Sequence, residues 1–259
     1  MQQLKIKRIL NKKNKSPITC LSAYSKLIAQ IADKYCDIIL VGDSLGMVLY
    51  GMTSTKEVKI DTMILHTKTV KKFCKKSLVV FDMPYNTYRN KFNAYKNAKK
   101  VMKLTNCDAV KLEGGKSIAS IVNYLTRKNI PVMGHIGLLP QSTKKYKVKG
   151  RSEIQKKNIL EDAIAISKSG AFSIVIECVV EKLAKQITKE ISVPTIGIGA
   201  SKYCDGQIMV ADDMLGLSDF SPKFIKQYSK LNKIIDKSIK KYVKEVKQRK
   251  FPSKKNVYN

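Results

Sequence analysis

The chain alternates short apolar runs with longer stretches in which apolar residues recur every three or four positions, the pattern of repeated strand–helix units. The runs predict strands over 17–21, 37–41, 78–82, 108–112, 131–135, 172–177, 194–198 and 207–210. Most are apolar at consecutive positions, as strands covered on both faces must be. Eight such strands are what a closed parallel barrel needs, and 259 residues suit a (β/α)₈ fold. Among the helical stretches, Ile118, Ile121, Val122 and Leu125 share one face, with Ser117 placed to cap it. Ala94, Ala98, Val101 and Met102 make a second face. Leu160, Ala163 and Ile164 make a third, which runs to Gly170 as the terminating glycine. Only about eight residues separate the last two strands, fewer than the dozen or so a parallel connection usually takes. An open doubly wound sheet is therefore the alternative fold. Residues 1–259 are expected to form one barrel domain. After Pro222 come one or two basic amphipathic helices, then a polar tail from Phe251 for which disorder is one reading.

Charge changes the picture more than composition does. Fifty Lys and Arg stand against 20 Asp and Glu, a net charge of +30. A basic surface is the footprint of phosphate contact. Here, however, the lysine pairs at 71–72, 99–100, 144–145 and 240–241 are spread along the whole chain, with no interleaved aromatic platform for bases. The excess is read as a general surface bias, alongside abundant Ile and Asn, and no specific nucleic-acid partner is expected. No apolar run approaches the ~18–20 residues needed to span a bilayer. The lysine-rich N-terminus lacks the apolar segment of a signal peptide. Six cysteines, at 20, 36, 74, 107, 178 and 204, contain no C-x-x-C pair, and several fall inside apolar runs where a thiol packs as a small hydrophobe. These features point to a reducing cytoplasm and to no membrane role.

In a barrel, catalytic groups come from the C-terminal ends of strands and the loops that follow. Asp43 follows the second run, Asp82 ends the third, Lys111 and Glu113 end the fourth, His135 the fifth and Glu177 the sixth. Each has a plain structural explanation when taken singly. Asp43 suits a turn or helix cap. Lys111 and Glu113 share side-chain parity and suit an ion pair. His135 suits a hydrogen-bonded scaffold, and His66, on a helical stretch, is assigned wholly to that role. Glu177 resists such an explanation most, because it closes an apolar run. Together, five strand ends aiming ionisable groups at one mouth would be a costly accident. Carboxylates and water are hard oxygen ligands, which points to Mg²⁺ or a similar divalent cation. Such an ion, chelated by an oxo acid, polarises the ketone and acidifies the neighbouring C–H. A nearby carboxylate then removes the proton, and Lys111 neutralises the substrate carboxylate or the developing oxyanion.

The ordered motifs resemble those of the ketopantoate hydroxymethyltransferase family. They are Val-Gly-Asp-Ser-Leu-Gly at 41–46, Lys-Leu-Glu-Gly-Gly at 111–115, Gly-His-Ile-Gly-Leu-Leu-Pro-Gln at 134–141, Ile-Gly-Ile-Gly-Ala at 196–200 and Asp-Gly-Gln at 205–207. The resemblance runs from about Ile18 to about Lys226. It implies a (β/α)₈ barrel of the phosphoenolpyruvate/pyruvate superfamily type. The reaction it implies moves a one-carbon unit from 5,10-methylenetetrahydrofolate to 3-methyl-2-oxobutanoate, giving 2-dehydropantoate for pantothenate synthesis. It also implies Asp43, Asp82 and Glu113 as carboxylates at Mg²⁺, and Asp43, Ser44, Asp82 and Lys111 as holding the oxo acid. Glu177 corresponds to the proton acceptor, His135 lines the pocket, and the assembly is a homo-oligomer, commonly a decamer. The chain departs from the pattern in a shorter stretch between Ser142 and Tyr146, in Ser201 for a usual glycine and in Val180 for a usual proline. A carbon–carbon or phosphorus–carbon lyase of the same superfamily is the alternative enzyme, sharing metal and oxo acid without folate. A basic nucleic-acid-binding protein is the alternative outside enzymes.

Overall fold

A strand that is apolar at every position must be covered on both faces, and this chain achieves that by closing eight strands on themselves. A computed structural model describes residues 2–143, 147–218 and 222–258. The elements run α1 (Gln2–Leu10), β1 (Ile18–Ser22), α2 (Lys26–Tyr35), β2 (Ile38–Val41), α3 (Leu45–Tyr50), α4 (Ile60–Phe73), β3 (Leu78–Asp82), α5 (Lys91–Thr105), β4 (Ala109–Glu113) and α6 (Ala119–Arg127). They continue with β5 (Val132–Gly137), α7 (Glu153–Lys168), β6 (Ser173–Glu177), α8 (Glu181–Glu190), β7 (Thr195–Ile198), β8 (Gly206–Met209), α9 (Ala211–Leu215) and α10 (Leu231–Lys247). All eight strands are parallel and paired in chain order, with β8 closing on β1.

Alternation along each strand sorts the side chains into two cores. One fills the barrel, with Ile18, Ile38, Leu78, Val80, Met133 and Val175 among its members. The other, including Ile39, Val41, Phe81, Leu112 and Ile174, packs against the helices. On β3, β4, β5 and β6 the inward parity that begins in the barrel core continues to Asp82, Lys111, Glu113, His135 and Glu177 at the C-terminal end.

The short crossover does not open the sheet. Residues 199–205 carry the chain from β7 to β8 without a helix. Strand β8 meets β7 over only two residue pairs, Ile196↔Gly206 and Gly197↔Gln207, and β1 over four, so little length is needed. Asp205 accepts from Thr195 N at 2.8 Å, and Gln207 Nε2 donates to Ser201 O at 2.8 Å, which stiffens the turn. Gly206 permits the closure, since a Cβ there would lie 2.4 Å from Ile18 O.

Two helix expectations are corrected. Ser117 does not cap α6: it sits inside a 3₁₀ turn, Lys116–Ile118, whose entry is fixed by Lys116 N donating to Asp162 Oδ1. The buried face of α7 is Ile159, Ala163 and Ile166, with Leu160 and Ile164 half-buried beside it. Gly170 does follow its end at φ 91°. The N-terminal lysines form a helix that seals the barrel floor. Ile9 of α1 is fully buried in the barrel core, while Lys5 donates to Ser77 O, Arg8 to Lys76 O, and Lys13 pairs with Asp205.

The chain divides into two compact units, Met1–Ala211 and Asp212–Asn259. The first holds the barrel. In the second, Tyr228 N donates to Met214 O and α10 ends in a turn where Lys250 N reaches Glu245 O. From Phe251 the chain folds back: its ring meets Tyr242 edge-on, and Ser253 caps a short turn at Lys254–Asn256. The shortened stretch before Tyr146, with Lys144 and Lys145, lies outside the described residues.

Candidate active site

The barrel mouth gathers every residue the sequence singles out except His66. Asp43 is buried in the loop after β2, and its backbone N–H donates to Asp82 Oδ2 at 3.3 Å. It is not a helix cap: α3 begins after Ser44 without any side-chain cap, and Asp43 Oδ2 accepts instead from Gln141 Nε2 at 2.8 Å. Lys111 Nζ donates to Asp82 Oδ1 at 2.8 Å and lies 3.5 Å from Glu113 Oε1. His135 stands between two carboxylates, with Nδ1 3.4 Å from Glu113 Oε1 and Nε2 3.3 Å from Glu177 Oε2. Neither approach is aligned as a hydrogen bond. Glu177 is the most accessible of the four carboxylates, its side chain 15% exposed against 2% for Glu113. Ser44 Oγ lies 2.7 Å from Tyr24 OH. His66 bonds Tyr24 O and Tyr50 OH on the outer layer, a scaffold role.

Two residues not singled out in the sequence complete the mouth. Gln141, almost fully buried, donates its backbone N–H to Glu113 Oε2 and its Nε2 to both Asp43 and Met83 O. Tyr88 donates its hydroxyl to Gln141 Oε1 and accepts from Glu113 N. Neither lies on a strand, so no periodicity marks it. The only signal was the place of Gln141 at the end of the motif that begins at Gly134.

The electrostatics leave the mouth short of positive charge. Burial, then Asp82 and Glu113, push the Asp43 carboxyl well above the usual carboxylate range. Burial also raises Asp82, although Lys111 opposes it. Glu113 goes the other way: burial would raise it, but Lys111 and His135 hold it at about 2. Burial and Lys111 work against a charged His135, yet Glu113 and Glu177 lift it to about 9. Burial would lower Lys111, but Asp82, Glu113 and Asp43 outweigh it and raise the ammonium above its ordinary value.

A divalent cation fits this donor set. Among the described residues no three His, Cys, Asp or Glu side chains converge into a ready cage. Mg²⁺ does not ask for one, since it is commonly held by one or two carboxylates, with water and substrate as the other ligands. Asp43 and Asp82 offer hard oxygens in a place where burial and neighbouring carboxylates resist their ionisation, at Asp82 even with Lys111 beside it. A dication would supply the further positive charge that favours their ionised forms.

Comparisons with known proteins agree with this geometry. The sequence model of ketopantoate hydroxymethyltransferase matches residues 3–254. The 3-methyl-2-oxobutanoate hydroxymethyltransferase of Pelagibacter ubique (strain HTCC1062) is 52% identical over 254 residues, covering 98% of this chain and 99% of that protein. Its counterpart in Anaplasma marginale (strain Florida) is 47% identical over 259 residues, covering 99% and 94%. Among solved structures, a phosphonopyruvate hydrolase in complex with oxalate and Mg++ superposes with a TM-score of 0.63 at 10% identity, covering 97% of this chain and 93% of that one. A 2,3-dimethylmalate lyase of the PEP mutase/isocitrate lyase superfamily also gives 0.63, at 12% identity over 99% and 88%. At such identities the structural likeness is one of fold, a closed parallel barrel wrapped by helices.

Proposed function

This chain belongs to the ketopantoate hydroxymethyltransferase family, and we propose that it transfers a hydroxymethyl group from 5,10-methylenetetrahydrofolate to 3-methyl-2-oxobutanoate, giving 2-dehydropantoate for pantothenate synthesis. The observation that carries this reading is the meeting of Asp43, Asp82, Lys111 and Glu113 with a separate, more accessible carboxylate, Glu177, at one barrel mouth. The substrate offers a carboxylate and a ketone on adjacent carbons, and a C–H at C3. Asp43, Asp82 and Glu113 would hold Mg²⁺, while Asp43, Ser44, Asp82 and Lys111 gather the oxo acid. When bound, the cation polarises the ketone and acidifies the C3–H. The buried Lys111 ammonium offsets negative charge as it develops on the substrate oxygens.

Glu177 takes the C3 proton, and His135, 3.3 Å from its Oε2, steadies the carboxylate. C3 then forms the new carbon–carbon bond to the one-carbon unit. Water supplies the hydroxyl oxygen and tetrahydrofolate leaves.

The test is exchange of the C3 proton of 3-methyl-2-oxobutanoate with deuterium from solvent, followed by NMR. Exchange is expected with Mg²⁺ before any folate is added, and product only after methylenetetrahydrofolate is supplied. Turnover of the oxo acid without folate would instead indicate a lyase, and absence of metal-dependent exchange would overturn the proton-abstraction step.

A further inference from the structure

Gln141 is a single amide tied to four strand ends. It follows β5, its backbone N–H reaches Glu113 at the end of β4, and its side chain reaches Asp43 after β2 and both Met83 O and Tyr88 after β3. The geometry points to Gln141 as a positioning residue that, with Tyr88, fixes which oxygen of Asp43 faces the cation. This inference rests on the proposed role of Asp43 at a divalent ion.

The argument is one of donors and acceptors. A primary amide has an acceptor end and a donor end. The Tyr88 hydroxyl donates to Oε1 at 2.5 Å, which claims the acceptor end. Nε2 is then turned to two acceptors, Asp43 Oδ2 at 2.8 Å and Met83 O at 3.0 Å. The reverse orientation would set Oε1 against a carboxylate and a carbonyl at once, while the phenol faced an N–H. Asp43 Oδ2 is thereby engaged, and Oδ1 has no hydrogen-bond donor among the described residues. An oxygen so left is the one available to a cation.

Both supports are rigid. Gly137 (φ 94°) sends the chain out of β5 where a Cβ would lie 2.4 Å from Glu177 O, and Ser142 N and Thr143 N both close onto Leu139 O around Gln141. On the other side, Thr87 Oγ1 donates to Pro84 O and Asn97 Nδ2 to Thr87 O, which holds the loop carrying Tyr88. Partners one step removed from a metal orient its ligands, and removing them typically weakens binding by about 10–100-fold.

The experiment measures Mn²⁺ affinity by electron paramagnetic resonance on the full chain without substrate, beside the melting temperature. Gln141→Met keeps the length and loses both hydrogen-bonding ends. Tyr88→Phe removes the oxygen that orients the amide, together with its contact to Glu113 N, and serves as the second variant if the first does not fold. Each is expected to lose roughly 10–100-fold in Mn²⁺ affinity. The double variant should lose less than the product of the two single losses, because Tyr88 acts on Asp43 through the amide. Lowered melting temperatures with unchanged Mn²⁺ affinity would reduce both residues to structural parts and overturn the inference. Asp82→Asn separates this from failure of the metal reading. If the parent binds Mn²⁺ and Asp82→Asn does not, the metal reading stands whatever Gln141→Met shows. If the parent binds no Mn²⁺, both fall together.

Discussion

Glu177 reaches the mouth by strand parity: Ser173 and Val175 precede it on the inward side of β6, while Ile174 and Ile176 pack outward. Gln at this position keeps shape and reach but cannot take a proton. Glu177→Gln is expected to slow C3–H exchange by roughly 10²–10⁴-fold while leaving Mg²⁺ affinity and melting temperature near the parent values. A fall in metal affinity or stability would instead make Glu177 a ligand or a scaffold partner, and exchange near the parent rate would end the general-base role. The same parity made most of this site legible. Lys111 and Glu113 stand two apart on one strand, so the alternation that buries Ala109 also aims both inward. Gln141 and Tyr88 escaped because they act from loops. Their partners lie 98 and 53 positions away along the chain, and no local pattern encodes such a meeting.

At the scale of elements, the apolar runs gave strand positions within a residue or two because continuous burial on both faces leaves few other readings. Helix ends were less legible. Ser117 has the chemistry of a cap, but Asp162, from α7, takes the turn's N–H instead. Asp33 is a similar case: on α2 it looks like a solvated helix residue, yet it is buried and accepts from Lys75 N, Lys76 N and Ser77 N at the entry to β3. Burial opposes its ionisation, and the three backbone N–H groups outweigh burial and hold its pKa below the ordinary value. Because the folded pKa is the lower one, its contribution is complete above the unfolded value of about 3.9 and is lost as pH falls through the folded value. Asp33→Asn is expected to cost about 1–3 kcal/mol near neutrality. In denaturant titrations that gap to the parent should shrink toward acid pH; a gap independent of pH would deny the carboxylate its role. For α1 the critical residue is Ile9, fully buried in the barrel core. Ile9→Ala is expected to cost about 2–5 kcal/mol by calorimetry, with little change in Mn²⁺ affinity, since the end proposed to bind metal is the opposite one.

For the whole molecule, the charge of +30 is the property the fold least explains. Several acidic groups are already matched by lysine: Asp37 by Lys12, Asp108 by Lys71, Asp205 by Lys13. The surplus repels itself across the surface. Raising ionic strength from about 0.01 M to about 0.15 M shortens the screening length from about 30 Å to about 8 Å, and the melting temperature is expected to rise. Affinity for DNA at physiological salt should be no better than the non-specific range of roughly 10⁻⁴–10⁻⁶ M. A tight, sequence-dependent complex in a salt titration would show that the surplus has a nucleic-acid partner after all.

The helix beneath the barrel also has a history in time. Its segment is made before the barrel strands, yet Lys13 must find Asp205 and Thr188 O, 192 and 175 positions later in the chain, while Lys5 and Arg8 must find the carbonyls leading into β3. The Lys13 anchors are not complete until nearly the whole barrel has left the ribosome, and contacts of such long span form late. This helix, synthesised before the strands it packs on, is therefore expected to be among the last elements to settle. Pulse-labelled hydrogen exchange during refolding should find the amides of α1 protected after those of β3 to β6.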